Sequence, residues 1–196
     1  EVVLAGLEAL AVLDGISARA SFGRQLKAQP VTLNADGRVR LLQARHPLLV
    51  LSKEQVVAND ILLDESIHVL VISGPNTGGK TVTLKIVGLF ALMVRAGLHL
   101  PCGAGSEMAI FSDVYADIGD AQDLARDLSS FSAHMTQMIQ LLDQTNRQRR
   151  DDEQAEPRQW LVLLDEPVTS TDPTEGAALA EALLCRLATL GMKVVA

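Results

Sequence analysis

The sequence is poor in aromatic residues and in cysteine. Aromatic residues make up 3% of its 196 positions, which leaves few rings for stacking unpaired bases and argues against single-strand nucleic-acid binding as the main activity. The two cysteines, Cys102 and Cys185, are far apart, and neither has a second cysteine or a paired histidine at metal-ligand spacing. We therefore expect two buried free thiols in a reducing compartment, with no disulfide.

Positive charge and long apolar runs are also scarce. A formal net charge of −7 and a pI near 5.0 argue against a domain that grips nucleic acid by itself. The sequence has no basic segment followed by an apolar stretch and no run of about 18 apolar residues, so we predict a cytoplasmic protein without a membrane contact. Its hydrophobic content of 48% is enough for one globular domain with a sizeable core.

The first quarter of the chain predicts a helix followed by a small β part. Apolar residues from Val2 to Leu13 recur at nearly helical spacing without a capping residue before them, as at the end of a longer helix. The runs 31–33 and 39–42 flank Asn34-Ala35-Asp36-Gly37, which predicts an antiparallel β-hairpin. Arg45-His46-Pro47 would then lead into an extended stretch.

Strand and helix patterns alternate through the rest of the chain. The predicted strands are 68–73, 112–118, 160–164 and 192–195, and the predicted helices are 79–96, 132–147 and 174–190. Gly97 and Gly191 are placed to end two of these helices. We therefore predict an α/β fold with a mostly parallel central sheet flanked by helices, preceded by the small antiparallel β part.

The strongest motif is Gly74-Pro75-Asn76-Thr77-Gly78-Gly79-Lys80-Thr81, which matches G-x4-G-K-[ST] between a predicted strand and a predicted helix. The glycines let backbone N–H groups approach phosphates, and the helix N-terminus favours negative charge. Lys80 should reach the β- and γ-phosphates of ATP, and the Thr81 hydroxyl should ligate Mg²⁺. Val82 completes the predicted binding segment. The bland alternative is a plain glycine turn.

A second motif is the apolar run Leu161-Val162-Leu163-Leu164 that ends at Asp165-Glu166. In parallel sheets the ends of such strands lie beside the phosphate loop. Asp165 is the candidate Mg²⁺ ligand, and Glu166 is the candidate base that orients and deprotonates the attacking water. The alternative is a surface carboxylate pair at a strand end.

Three segments together resemble the ATPase domain of the MutS family. They are Gly-Pro-Asn-x-Gly-Gly-Lys at 74–80, Asp-Ile-Gly-Asp-Ala-Gln-Asp-Leu at 117–124, and Leu-Ser-Ser-Phe-x-x-His-Met at 128–135. Together with Thr-Asp-Pro-x-Glu-Gly at 171–176, these motifs resemble those of the second bacterial branch of the family, which lacks mismatch-recognition domains. The resemblance implies a P-loop ATPase of the ABC type over 21–196, with residues 1–20 as the end of a lever helix.

The resemblance also implies a site shared between two copies of the chain. In such ATPases a serine at a helix start reaches the γ-phosphate held by the partner subunit, and Ser129 or Ser130 fills that place. Ser129 could instead simply cap the following helix. The resemblance further assigns Asn76 to the γ-phosphate, Gln122 to sensing the metal or the γ-phosphate, and His46 and Asn59 to the adenine site.

The chain departs from the family at two places. Pro167-Val168-Thr169-Ser170 replaces a glycine-containing loop after Glu166, and proline should stiffen it. The chain stops at Ala196, whereas related ATPases continue to a Thr-His pair, so the resemblance implies an ATPase domain truncated at its C-terminus. Any nuclease module would lie outside this segment.

These features predict Mg²⁺-dependent ATP hydrolysis at the composite site of a homodimer. The resemblance implies that hydrolysis drives a conformational change in a protein engaging DNA or the ribosome, for suppression of recombination or for ribosome rescue. One alternative is a nucleotide-gated binding module without turnover. A transporter motor subunit is a weaker alternative, because the sequence has no Leu-Ser-Gly-Gly-Gln signature.

Overall fold

A computed structural model describes residues 2–52, 55–74, 78–118, 136, 159–165 and 173–196. The chain divides into two compact units, one of residues 1–62 and 85–110 and the other of residues 63–84 and 111–196. The described elements, in chain order, are α1 (Val2–Gln25), β1 (Thr32–Asn34), β2 (Val39–Ala44), α2 (Pro47–Ser52), β3 (Asn59–Leu63), β4 (Val69–Leu70), α3 (Lys80–Arg95), β5 (Glu107–Ala109), β6 (Asp113–Asp117), β7 (Trp160–Leu164), α4 (Pro173–Thr189) and β8 (Lys193–Val195).

Helix α1 is longer than the apolar spacing predicts, because it continues to Gln25. It ends in a Schellman motif: the Ala28 N–H donates to the Gly23 carbonyl (2.9 Å) and the Lys27 N–H to the Arg24 carbonyl (3.1 Å). Lys27 has a φ of 51°, a left-handed conformation that favours glycine. The assignment of residues 1–20 to a lever helix and 21–196 to an ATPase domain stays a prediction.

The first unit contains a mixed sheet in the order β1-β5-β2-β3. β5 runs parallel to β1 and antiparallel to β2. The predicted hairpin is therefore wrong, since β5 lies between its two strands and fully buries Met108 there. The turn itself does form: Gly37 has a φ of 81°, and the Asn34 side chain hydrogen-bonds the Arg38 backbone. Turn chemistry reverses the chain locally without determining which strands pair.

The extended stretch expected after Arg45 is also wrong, because α2 begins at Pro47. The His46 carbonyl accepts the N–H groups of Leu49 and Val50, both at 3.0 Å. Proline suits the first helical position, since its missing N–H would have no helical partner there. Pro47 thus starts a helix directly beside the buried His46.

The second unit contains a parallel sheet in the order β4-β8-β7-β6. The predicted strand 160–164 is confirmed with the same bounds, and all five of its residues are buried. Helix α4 packs on one face of this sheet, where Leu187 and Leu190 join a core cluster with Trp160, Val162 and Val194. The mixed α/β architecture with a parallel sheet agrees with the predicted class.

Both predicted glycine helix ends are confirmed. Gly97 (φ 71°) and Gly191 (φ 77°) are left-handed, and the residues after them donate to carbonyls five positions back, Leu98 to Met93 (2.9 Å) and Met192 to Leu187 (3.2 Å). Glycine takes this conformation without a Cβ penalty. The predicted helix over 132–147 falls almost wholly outside the described residues.

The cysteine prediction is half right. Cys102 is buried, and burial raises the pKa of its thiol. Cys185 is exposed on α4, so the expectation that it is buried is wrong. An apolar neighbourhood in sequence does not tell which side of a surface helix a residue occupies. Among the helices of the described residues, none has the length and apolar character needed to cross a membrane.

Candidate functional site

The predicted phosphate loop leaves β4, a strand shorter than expected. β4 covers only Val69–Leu70, and the chain then runs to Gly74 without regular structure. Gly74 (φ 149°) and Gly79 (φ 82°) both have positive φ. A Cβ built at either glycine would meet no atom of the described residues within 4 Å. The positive φ of Gly74 and Gly79, and not crowding, therefore favours glycine at both positions. The described residues leave open space beside each of them.

Helix α3 begins at Lys80, directly after Gly79. The Gly79 carbonyl accepts the Thr83 N–H (2.9 Å) and the Thr83 hydroxyl (3.0 Å), which ties the end of the loop to the first helical turn. Lys80, Thr81 and Val82 are partly buried. The described residues thus place a strand before Gly74 and a helix directly after Gly79, and the positive end of the helix lies at Gly79.

Thr81 and Asp165 meet although 84 residues separate them. The Thr81 hydroxyl donates to the Asp165 carboxylate Oδ2 over 2.7 Å. Asp165 directly follows the buried strand β7, and its N–H donates to the Asp117 carbonyl at the end of β6 (2.8 Å). A hydroxyl and a carboxylate are hard oxygen donors of the kind that Mg²⁺ prefers, so the pair fits the predicted metal.

Apart from His46 and Asn59, the other predicted site residues divide into two groups. One group lies in the second unit and consists of Gly74, Gly78, Gly79, Lys80, Thr81, Val82 and Asp165. Gly78 is exposed. The remaining ones lie outside the described residues: Pro75, Asn76, Thr77, Gln122, Ser129, Ser130 and Glu166. Their roles stay predictions.

His46 and Asn59 belong to the first unit. His46 is 7% exposed, and its Nδ1 atom is buried without a hydrogen-bond partner in the described part of the chain. Burial, and secondly the charge of Lys85, lower the pKa of His46 and favour the neutral ring. Asn59 is partly buried at the start of β3. Their adenine-binding role stays a prediction.

Sequence reasoning missed two residues that hold the backbone before and after the phosphate loop. Thr83 holds the Gly79 carbonyl, and nothing in the G-x4-G-K-[ST] pattern marks it. Lys193 is 4% exposed in β8 and donates to three backbone carbonyls. A single lysine inside the apolar run Met192-Lys193-Val194-Val195 was the available signal, because a buried lysine requires partners.

Comparison with known proteins identifies the family of this chain. Residues 70–194 match the family described as MutS domain V. The chain belongs to the MutS family. The resemblance seen in the motifs is confirmed, and the similar proteins place the chain in the second bacterial branch of the MutS family.

Similar MutS proteins extend well beyond this segment. The chain is 47% identical over 196 residues to "Endonuclease MutS2" of Geobacillus sp. (strain WCH70), covering all of this chain and 23% of that protein. It is 45% identical to the protein of the same name from Bacillus velezensis, over 97% of this chain and 22% of that protein. The Caldicellulosiruptor bescii protein gives 45% identity over the whole chain and 23% of its own length. The chain thus spans under a quarter of these relatives.

Proposed function

We propose that this MutS domain binds ATP with Mg²⁺ and hydrolyses it at a site completed by a second copy of the chain. The observation that carries the proposal is the 2.7 Å hydrogen bond between Thr81, at the start of α3, and Asp165, at the end of β7. It joins the two halves of a Walker-type site that are distant in sequence. Mg²⁺ bound there would neutralise charge developing on the phosphates.

Each cis residue of the site has a defined task. The glycine backbone at Gly74 and Gly79 leaves room for phosphate oxygens against N–H groups. Lys80 would bind the β- and γ-phosphates, and Thr81 and Asp165 would hold Mg²⁺ directly or through water. Glu166 orients the attacking water and accepts its proton.

The proposal extends to the partner subunit and to the longer protein. Ser129 or Ser130 would donate to the γ-phosphate held by the other copy, so ATP would join the two copies and hydrolysis would release them. The relatives are about four times longer than this chain. In a protein of that length, this cycle would move segments that engage DNA or the ribosome. The relatives are named "Endonuclease MutS2", a name that indicates a nucleic-acid substrate for those proteins.

The first test compares Lys80→Ala with Lys85→Ala, an exposed lysine on the same helix. Equilibrium titration with a fluorescent ATP analogue measures affinity. We expect Lys80→Ala to weaken binding at least about tenfold, since a charge-assisted bond contributes roughly 1.5–3 kcal/mol. Lys85→Ala should bind as the wild type does. Equal affinity of all three proteins would overturn the phosphate-loop assignment.

The second test separates metal binding from nucleotide binding. Asp165→Asn keeps the volume and one oxygen acceptor while removing the charge, so ATP should still bind but the Mg²⁺ concentration for half-maximal hydrolysis should rise. An unchanged Mg²⁺ requirement contradicts the assignment of Asp165. Thr81→Ser, which retains the hydroxyl, is the control that should preserve the requirement.

The third test addresses the composite site. Single-turnover hydrolysis measured against protein concentration should rise steeply as copies associate, and the Ser129→Ala/Ser130→Ala double variant should abolish that rise. If ATP binds tightly while turnover stays absent at all concentrations, the domain is instead a nucleotide-gated binding module. Turnover independent of concentration and of both serines would exclude the partner's contribution.

A further inference from the structure

Lys193 connects the parallel sheet to the turn that precedes the phosphate-loop strand. Its ammonium Nζ donates to the carbonyls of Asp64 (2.8 Å), Glu65 (2.7 Å) and Ile67 (2.7 Å). These residues form a turn closed by the Ile67 N–H on the Asp64 carbonyl (3.1 Å). Each bond is charge-assisted because its donor is an ammonium group. Each is also shielded from water because Lys193 is almost fully buried.

The same residue lies in the strand that separates the two halves of the site. β8 pairs with β4 on one side and with β7 on the other. The phosphate loop follows β4, and Asp165 follows β7. The Val194 N–H donates to the His68 carbonyl (2.8 Å), one residue beyond the turn held by the Lys193 side chain. The side chain of Lys193 and the backbone of β8 therefore both bind the segment 64–68, which leads into β4 and the loop.

β4 needs such an anchor because its own pairing is short. It matches β8 at only two positions, Val69 with Val194 and Leu70 with Val195. Two further bonds continue the pairing, from the Ala196 N–H to Leu70 (2.9 Å) and from the Ile72 N–H to Ala196 (2.7 Å). A slip of this register by one residue would turn the side chains of β4 to the opposite face of the sheet.

We propose that Lys193 is a positioning residue for the phosphate loop: by holding the Asp64–Ile67 turn against β8, it sets the register of β4 and so the place at which Gly74 begins the loop. It acts through the backbone and does not touch the nucleotide. The proposal rests on the proposed function of nucleotide binding at Gly74–Thr81. Such positioning matters, because a misplacement of about 1 Å in a group that orients a substrate can lower a reaction rate on the order of a hundredfold.

The test must separate positioning from plain stabilisation. Lys193→Met keeps the length of the side chain and removes its donors. The stability controls are Leu187→Ala and Leu190→Ala, which weaken the same sheet from the α4 face, and the one closest to Lys193→Met in Tm is chosen. Affinity for a fluorescent ATP analogue is measured well below all Tm values. We expect Lys193→Met to bind at least about tenfold more weakly than the matched control.

Hydrogen exchange provides the second readout. Amides of residues 69–74 should exchange faster in Lys193→Met than in the matched control, while those of β7 should be equal in both. If Lys193→Met does not fold, Lys193→Gln, which keeps an amide donor, replaces it. The affinity of Lys193→Gln for the ATP analogue should still be lower than that of a control variant matched to it in Tm. Affinity equal to the matched control in a folded variant overturns the proposal. Wild-type protein that fails to bind ATP overturns the proposed function instead.

Discussion

His46 carries a pH dependence that can be worked out from its burial. Its pKa is lowered first by burial and then by Lys85, so the unfolded chain binds a proton at a higher pH than the folded one does. Stability is therefore full above the unfolded pKa of about 6.5 and is lost as pH falls below it, with a slope of at most about 1.4 kcal/mol per pH unit. We expect the free energy of unfolding to fall between pH 7 and pH 5.

Denaturant titrations at a series of pH values check this prediction. His46→Gln should flatten the pH dependence, because it removes the group that takes up the proton on unfolding. His99→Gln, at an exposed position, should retain the wild-type dependence. Identical pH profiles for His46→Gln and the wild type would show that other groups cause the loss.

Lys27 offers a stabilising substitution. It holds a left-handed conformation at the end of α1, where glycine lacks the Cβ penalty. Lys27→Gly should raise the free energy of unfolding by about 1 kcal/mol. The reverse change at an equivalent position, Gly97→Ala, should lower it by a similar amount. Chemical denaturation measures both, and a loss of stability in Lys27→Gly would mean that the lysine side chain contributes more than its backbone strain costs.

The site residues differ in how far the sequence reveals them. The Gly74–Thr81 motif is readable because its geometry is local: consecutive residues form a turn and a helix start. The Thr81–Asp165 contact depends on the order of strands in the sheet, and was predictable only through the general rule that strand ends meet. Lys193 escaped prediction because its three acceptors are backbone carbonyls, which leave no signature in the side chains of Asp64, Glu65 and Ile67.

Helix α4 depends on a single apolar face for its attachment to the sheet. Leu187 is fully buried there, while Cys185, two residues earlier, is exposed. Leu187→Ala should cost about 2–5 kcal/mol because it removes buried methyl groups and leaves a cavity. Cys185→Ala should change stability by less than about 0.5 kcal/mol. Denaturant unfolding measures both, and equal effects would mean that α4 does not pack on the sheet in solution.

Elements whose burial is uniform were the most predictable. β7 was assigned with its observed bounds because five consecutive apolar residues fit a strand that is covered on both sides. The β1–β2 hairpin failed because the intervening strand, β5, comes from about 70 residues later in the sequence. β5 pairs with β1 and carries the fully buried Met108, and nothing in the 34–37 turn indicates that pairing.

At the scale of the whole chain, stability should be distributed unevenly. α1 exposes apolar side chains in most of its turns: Val3, Leu4, Leu7, Leu10, Val12, Leu13 and Ile16. Helices apolar on all sides are typical of buried positions, yet the described residues leave this one uncovered. A helix that buries little is marginal in water, because its stability in proteins comes mainly from packing. α1 should therefore be the least stable of the described elements.

Native-state hydrogen exchange tests that distribution. Amides of residues 6–16 should exchange with little protection, whereas those of β7 and the buried middle of α3 should open only with an entire unit. Protection of α1 equal to that of β7 would mean that its apolar sides are covered in solution. Hydrogen exchange and sedimentation across the same dilution series then identify what covers them. Protection that is lost as the protein dissociates identifies another copy of the chain as the cover. Protection that persists in the monomer contradicts the exposure of α1.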